Sequence, residues 1–346
     1  MNNIRVLVVD DSAFMRKMIS DMINEADGLE VVDTARNGEV AIKKIKQFNP
    51  DVVTLDVEMP VMDGLTALKQ IMRDIPVPVI MLSSLTVEGA NSTIQSIEFG
   101  AVDFLSKPSG PISLDIENVQ QELVQKIKAA SQANIYKYQL DEKVELKQTT
   151  PNFKYQQFIV SIGVSTGGPK ALQTLLQDIP KNFPAPILIV QHMPPRFTKS
   201  LADRLNRISN ITVKEATSGE LLKEGFAYVA PGGYHLRVEN KNSSLVTVLD
   251  QTKTISSHCP SVNELFQSLA NISGFNHIGL VLTGMGNDGT IGAKELKEKT
   301  DSNYLMAESE KTAVIYGMPR SIVEKVGADS ILPIDQMAIA LTRLVK

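Results

Sequence analysis

The sequence predicts an α/β chain of two domains, each built on a doubly wound, mainly parallel sheet. Three observations carry that expectation. Short β-branched runs alternate with segments of helical period in both halves of the chain. The alternation breaks once, over a polar stretch from Ala130 to Asn152 that ends in TTPN. And 346 residues exceed one ordinary domain and suit two.

In the first half the strand-like runs are RVLVV (5–9), EVVDTA (30–35), DVVTLD (51–56), PVIML (78–82) and DFLSK (103–107). Between them MRKMISDMI (15–23) and EVAIKKIKQF (39–48) place apolar residues at a spacing near 3.6, the signature of helices with one buried face. Strand and helix in turn imply βαβ crossovers, so residues 1–125 are expected to form one domain, with a last helix from Glu117 to Lys128. Residues 126–153 are expected to be an interdomain linker. Alternation resumes with FIVSI (158–162), PILIV (186–190), FAYVA (226–230), SLVTVLD (244–250) and HIGLVL (277–282), which predicts a second domain over 154–346. Its middle runs read as a hairpin inserted in the sheet.

Composition limits the function classes. With 43% apolar and 21% charged residues the chain reads as soluble and globular. One cysteine, Cys259, excludes a disulfide framework and a cysteine-rich metal site. No signal-like segment opens the chain and no apolar run approaches the eighteen or so residues of a bilayer span, so a cytoplasmic location without membrane insertion is expected. Residues 1–153 carry 15 Lys+Arg against 22 Asp+Glu, a net of −7, whereas 154–346 carry 20 against 17, a net of +3. An acidic first half suits a bound cation. The second half lacks both the basic excess and the helix-turn-helix pattern of a DNA-binding domain, so no nucleic-acid partner is expected.

Asp10 and Asp11 close the first strand and Asp56 the third. Neighbouring parallel strands would bring the three carboxylates into one pocket at the sheet's carboxyl edge. Like charges there repel unless a cation joins them, and an all-oxygen set suits Mg²⁺. Ser83 ends the fourth strand and Lys107 the fifth, ahead of Pro108. A hydroxyl and an ammonium facing that pocket suit an incoming phosphoryl group, with Asp56 as the nucleophile that forms an acyl phosphate. The pattern DD…D…SS…KP closely resembles the receiver domain of two-component response regulators. The resemblance implies a flavodoxin-like fold, Mg²⁺ held by Asp10, Asp11 and Asp56, phosphorylation of Asp56 by a histidine kinase, and sensing of the phosphoryl group by Ser83 and Lys107. It places Phe104 at the aromatic switch position.

Three further motifs each follow an apolar run: GVSTGGP (163–169) with Ser165, QHMPP (191–195) with His192 and TGMGNDG (283–289) with Asp288. A nucleophile, a base and an orienting carboxylate past three strand ends point to a hydrolase. GVSTG matches the G-x-S-x-G turn, but the order Ser, His, Asp departs from that of the α/β-hydrolases. A glycine-rich loop after a strand also suits a nucleotide phosphate, so a receiver-controlled nucleotide-binding or protein-interaction module without esterase activity is the alternative. Of the other histidines, His235 reads as structural, His258 as a residue that could line the site, and His277 as lying at the wrong end of its strand. Asp288 could instead cap the helix that begins at GTIGAKELKEK. The Met285 amide is a candidate oxyanion donor.

Together with VAPGGYH (229–235), PSVNELF (260–266) and YGMPR (316–320), these motifs closely resemble the catalytic domain of the chemotaxis protein-glutamate methylesterases. The resemblance implies a hydrolase of glutamate γ-methyl esters on methylated chemoreceptors that also deamidates receptor glutamines. It further implies a chemotaxis histidine kinase as phosphodonor, Ser165, His192 and Asp288 as the triad, and Thr166 and Met285 around the oxyanion. No cofactor is implied for the ester chemistry. The chain departs from the family pattern at Val164 (commonly Ala), Asn263 (commonly Asp) and Glu308 (commonly Gln), and KTDSNYLMAE (299–308) lacks the glycines usual there.

Overall fold

The computed structural model describes residues 3–84, 86–107, 116–133, 151, 153–241, 244–252, 258–300 and 302–346. Pro108 and most of the expected linker lie outside them. The chain divides into two compact units, Met1–Tyr136 and Lys137–Lys346.

The first unit alternates β1 (Ile4–Val9), α1 (Ala13–Asn24), β2 (Leu29–Ala35), α2 (Gly38–Phe48), β3 (Val52–Asp56), α3 (Gly64–Asp74), β4 (Val79–Ser83), α4 (Val87–Glu98), β5 (Asp103–Ser106) and α5 (Ile116–Ala130). Its five strands are all parallel in the order β2-β1-β3-β4-β5. Val6, Leu7, Val8, Val9, Val52 and Val53 are fully buried, as central strands covered by helices on both faces require. Side-chain caps start the helices: Ser12 for α1, Asn37 for α2, Asp63 for α3 and Thr86 for α4 each accept from an N–H three residues on. The last helix runs to Ala130, two residues past the expected end and into the stretch read as linker.

The second unit continues with β6 (Phe158–Val164), α6 (Gly168–Gln177), β7 (Ile187–Gln191), α7 (Phe197–Ile208), β8 (Thr212–Glu215), β9 (Phe226–Val229), β10 (His235–Lys241) and β11 (Ser244–Asp250). It closes with α8 (Val262–Ala270), β12 (Asn276–Val281), α9 (Thr290–Lys299), β13 (Asn303–Glu308), α10 (Met318–Lys325), β14 (Ser330–Leu332) and α11 (Ile334–Leu344). Seven strands form a wholly parallel sheet in the order β14-β13-β12-β6-β7-β9-β8. The expected hairpin exists, but it is not inserted in that sheet. β10 and β11 pair antiparallel as a separate two-stranded ribbon, while FAYVA becomes β9 between β7 and β8. The ribbon buries Leu236, Val238 and Leu245 in a core shared with α8. One apolar face is enough for a ribbon packed on a helix, so its alternation resembled that of an edge strand.

Candidate active site

Strand order reverses direction between β1 and β3 in the first sheet and between β6 and β12 in the second. A crevice opens at such a switch point because the flanking crossovers leave on opposite faces. Both motif sets lie there.

In the first unit Asp10 follows β1 and Asp56 ends β3. Lys107 reaches across from β5, with Nζ 2.8 Å from Asp10 Oδ2 and 2.7 Å from Asp56 Oδ2. Asp10 Oδ1 accepts from the Ser12 N–H at 2.9 Å, and Asp56 Oδ1 from the Glu58 N–H at 3.4 Å. One oxygen from each of Asp10, Asp11 and Asp56 lies within 4.8 Å of the others. A cavity of about 190 Å³ opens over them, lined by Asp11, Asp56, Glu58, Ser83 and Lys107 among others. Burial pushes the Asp56 carboxyl up, and Asp10 adds to it; Lys107 and the Glu58 N–H pull the other way, leaving it at about 6. Three carboxylates against one ammonium leave an excess of negative charge that fits a divalent cation. Phe104 is not among the residues lining the cavity. It is buried in β5, with Lys126 Nζ 5.5 Å from its ring centre.

In the second unit Ser165 follows β6, His192 follows β7, and Asp288 lies on the loop after β12. The turn carrying Ser165 is tied to β12 by its N–H, which donates to the Thr283 carbonyl at 3.0 Å. Gly284 permits this approach, since a Cβ there would fall 2.8 Å from the Ser165 Cβ and 2.5 Å from Met318 Sδ. Gly168 is required in the same way, because its Cβ would lie 2.0 Å from Gln191 Oε1. Gln191 is buried and its amide Nε2 donates to the Ser165 carbonyl at 3.0 Å and the His192 carbonyl at 3.3 Å, clasping the two strand ends together.

His192 Nε2 lies 2.8 Å from Asp288 Oδ2. A carboxylate partner puts the ring proton on Nε2 and leaves the lone pair on Nδ1, which is buried and makes no hydrogen bond among the described residues. Nor does a hydrogen bond join the Ser165 hydroxyl to His192 among them; such contacts are often long in the absence of substrate. Asp288 is held from the start of α8: its Oδ1 accepts from Ser261 Oγ at 2.9 Å and the Asn263 N–H at 3.1 Å, and its Oδ2 from the Val262 N–H at 2.7 Å. The Gly289 N–H adds a further donor at 3.0 Å. Burial alone would raise this carboxyl, but the His192 hydrogen bond and charge, with the Val262 and Asn263 N–H groups, bring it down to about 2. Capping of α9 falls instead to Gly289, in the left-handed region, and to Asn263 Oδ1, which accepts from the Gly289 and Gly292 N–H groups at 3.1 and 2.9 Å.

The Met285 N–H makes no hydrogen bond among the described residues. Thr166 is buried, with its carbonyl accepting from Thr283 Oγ1 at 2.9 Å. Glu308, noted in the sequence only as a departure, is buried at the end of β13; its oxygens accept from the Thr283 N–H at 2.8 Å and Thr312 Oγ1 at 2.9 Å. Burial raises it to about 7 against those two donors. His235 and His277 are buried in β10 and β12, His277 with Nε2 2.9 Å from the Ile272 carbonyl, whereas His258 is exposed and stacks on His192. Gln191 and Ser261 sit inside quoted motifs, but no local pattern marks what they grip.

Fold and site together define a two-unit α/β chain with an acidic pocket at one switch point and Ser165, His192 and Asp288 gathered past the strand ends at the other. Residues 6–117 match the response regulator receiver domain and residues 160–341 match the CheB methylesterase domain. The chain belongs to the CheB methylesterase family. It is 54% identical to the protein-glutamate methylesterase/protein-glutamine glutaminase of Oceanobacillus iheyensis over 93% of this chain and 94% of that one. With the protein of the same name from Geobacillus kaustophilus it shares 50% identity over 100% and 99%. The crystal structure of the Thermotoga maritima CheB methylesterase catalytic domain, 45% identical, superposes with a TM-score of 0.53 over 54% of this chain and 98% of that one. These matches do not favour a nucleotide-binding or interaction module without esterase activity. Among the described residues no helix is long and apolar enough to cross a membrane.

Proposed function

We propose that this chain removes methyl groups from glutamate γ-methyl esters of methylated chemoreceptors, releasing methanol, and deamidates receptor glutamines, in the cytoplasm. The observation that carries the reading is the His192–Asp288 pair, with its carboxylate locked by the start of α8 and the free lone pair left on Nδ1. Ser165 Oγ attacks the ester carbonyl as its proton passes to His192 Nδ1. The oxyanion is met by the Met285 N–H, beside Thr166. His192 returns the proton to the departing methoxide, and water hydrolyses the glutamyl-serine ester by the same relay. A glutamine amide passes through the same acyl-enzyme with ammonia leaving. Asp288 stays ionised throughout, as a carboxyl near 2 must at neutral pH.

The first unit is read as the control element, spanning 1–125, followed by a linker over 126–153 and the catalytic domain over 154–346. Asp56 takes a phosphoryl group from a chemotaxis histidine kinase: its oxygen bonds to phosphorus as the phosphorus–nitrogen bond breaks. Asp10, Asp11 and Asp56 would hold Mg²⁺, which when bound offsets the charge between carboxylates and phosphoryl oxygens. Lys107 and Ser83 face the phosphoryl group directly, and Phe104 responds from the neighbouring core as the switch.

The experiment is methanol release from membranes bearing methylated receptors, comparing the full chain with Ser165→Ala. A loss of about 10⁴-fold or more is expected, and equal rates would overturn the reading. A small phosphodonor should stimulate the wild type and leave Asp56→Asn unchanged; equal stimulation removes Asp56 from the control step.

A further inference from the structure

We propose that His258 is a positioning residue for the catalytic base, acting as the wall against which the His192 ring is held. The proposal rests on the assignment of His192 as base. The two imidazoles lie 4.1 Å apart between centres and 10° from parallel. Among the described residues His192 is tied at one corner only, through Nε2 to Asp288, so that bond alone leaves the ring free to swing about it. A parallel ring against one face removes that freedom. It also separates the base from solvent: the His192 side chain is 7% exposed, whereas His258 is an exposed residue outside it.

Chain connectivity gives the contact its significance. His258 opens the segment 258–263, whose far end supplies Ser261 Oγ and the Val262 and Asn263 N–H groups to the Asp288 carboxylate. In between, the Cys259 carbonyl accepts from the Gly233 N–H at 3.1 Å, anchoring the segment to the loop before β10. One strap of six residues thus fixes both the carboxylate that orients His192 and the face on which the ring rests. When Nδ1 takes the serine proton, the resulting imidazolium lies over the face of the His258 ring.

A metal site is the other reading of these side chains, because one ligand atom from each of His192, His258 and Asp288 lies within 4.8 Å of the others. Near-parallel rings stacked face to face direct their lone pairs within separate planes rather than toward one ion. The stack therefore accounts for the geometry and a shared ion does not.

The test measures kcat and KM for methanol release from methylated receptors by the phosphodonor-activated full chain, as wild type, His258→Ala, His258→Phe and Ser165→Ala. Removing the wall should lower kcat about 10-fold with KM within about two-fold, since misorientation of the base slows the chemistry and not the binding. His258→Phe supplies a flat ring that neither titrates nor ligates, and should recover most of the lost kcat. Thermal midpoints of both variants follow folding separately; if His258→Ala proves unstable, the Phe variant alone decides. Wild-type kcat in His258→Ala, or a folded His258→Phe as slow as His258→Ala, overturns the proposal. If Ser165→Ala retains turnover, the assignment of the triad fails; if Ser165→Ala is dead while His258→Ala is fully active, only the role of His258 fails.

Discussion

Asp56 and Asp288 are an instructive pair. Each sits at the switch point of a parallel sheet, each is part of an ionic contact 2.7–2.8 Å long, and each side chain is 5% exposed. Yet burial leaves one carboxyl raised to about 6 and the other held down at about 2. The difference lies in what surrounds the oxygens. Asp56 meets one ammonium, one long N–H contact and the repulsion of Asp10. Asp288 meets a hydroxyl, three backbone N–H groups and the imidazole N–H, several of them at the positive end of a helix. The carboxylate proposed to accept a phosphoryl group is left under-solvated, while the one proposed to stay charged beside the base is saturated with donors.

The largest effect should come from removing the charge that the donor-rich site is built to hold. Asp288→Asn keeps the size of the side chain but not its charge, so the proton on His192 Nε2 loses its anionic partner. A fall in kcat for methanol release of about 10⁴-fold is expected, with KM little changed, by comparison with the same substitution in serine proteases. Activity within ten-fold of wild type would show that His192 is oriented by the backbone and His258 without the carboxylate.

That contrast was only partly legible in the sequence. Asp10, Asp11, Asp56, Ser83 and Lys107, like Ser165 and His192, stand directly after apolar runs, and a strand end is a local feature that alternation of residues reveals. The donors to Asp288 are not local. Ser261, Val262 and Asn263 lie some 25 residues before it and meet it only because α8 packs beside α9. The same holds for His258, whose ring is brought to His192 across 66 positions, and for the Glu308 contact with Thr283. Alternation also cannot name a strand's partner, which is why the β10–β11 ribbon was expected inside the sheet. Asp288 as a cap for α9 failed for another reason: its oxygens are held by His192 and the start of α8, and Asn263 Oδ1 accepts the Gly289 and Gly292 N–H groups from a distant helix.

The second expected effect is on stability, and it has the opposite sign to the first. A carboxyl raised from 3.8 to about 6 keeps its proton longer in the folded protein than in the unfolded one. Stability therefore falls as pH rises from about 4 to about 6, and the full penalty, about 3 kcal/mol, persists above that window. Asn resembles the protonated acid, so Asp56→Asn should stabilise the first unit by about 2–3 kcal/mol at pH 8 and by almost nothing at pH 4. Urea unfolding at the two pH values reads this directly. Millimolar Mg²⁺ should stabilise the wild type more than the variant at pH 8. Lower stability of Asp56→Asn at pH 8 would mean that Lys107 compensates the buried charge completely.

The smallest effect is expected at Asn263, where the family resemblance implies an aspartate. Its side-chain oxygen receives the Gly289 and Gly292 N–H groups while its own N–H donates to Asp288 at 3.1 Å. A carboxylate can take over both acceptor roles, so Asn263→Asp preserves every hydrogen bond in which the side chain now takes part. What it adds is a second negative charge beside Asp288, which raises that carboxyl, and a charge at the start of α9, which the helix favours by about 0.3–1 kcal/mol. The two nearly offset. Stability in urea should stay within about 1 kcal/mol and kcat within about three-fold, with the low-pH limb of activity unmoved because Asp288 starts near 2. A loss beyond ten-fold would show that the neutral amide at 263 is what lets this chain keep Asp288 charged, and that the donors from α8 are not sufficient alone.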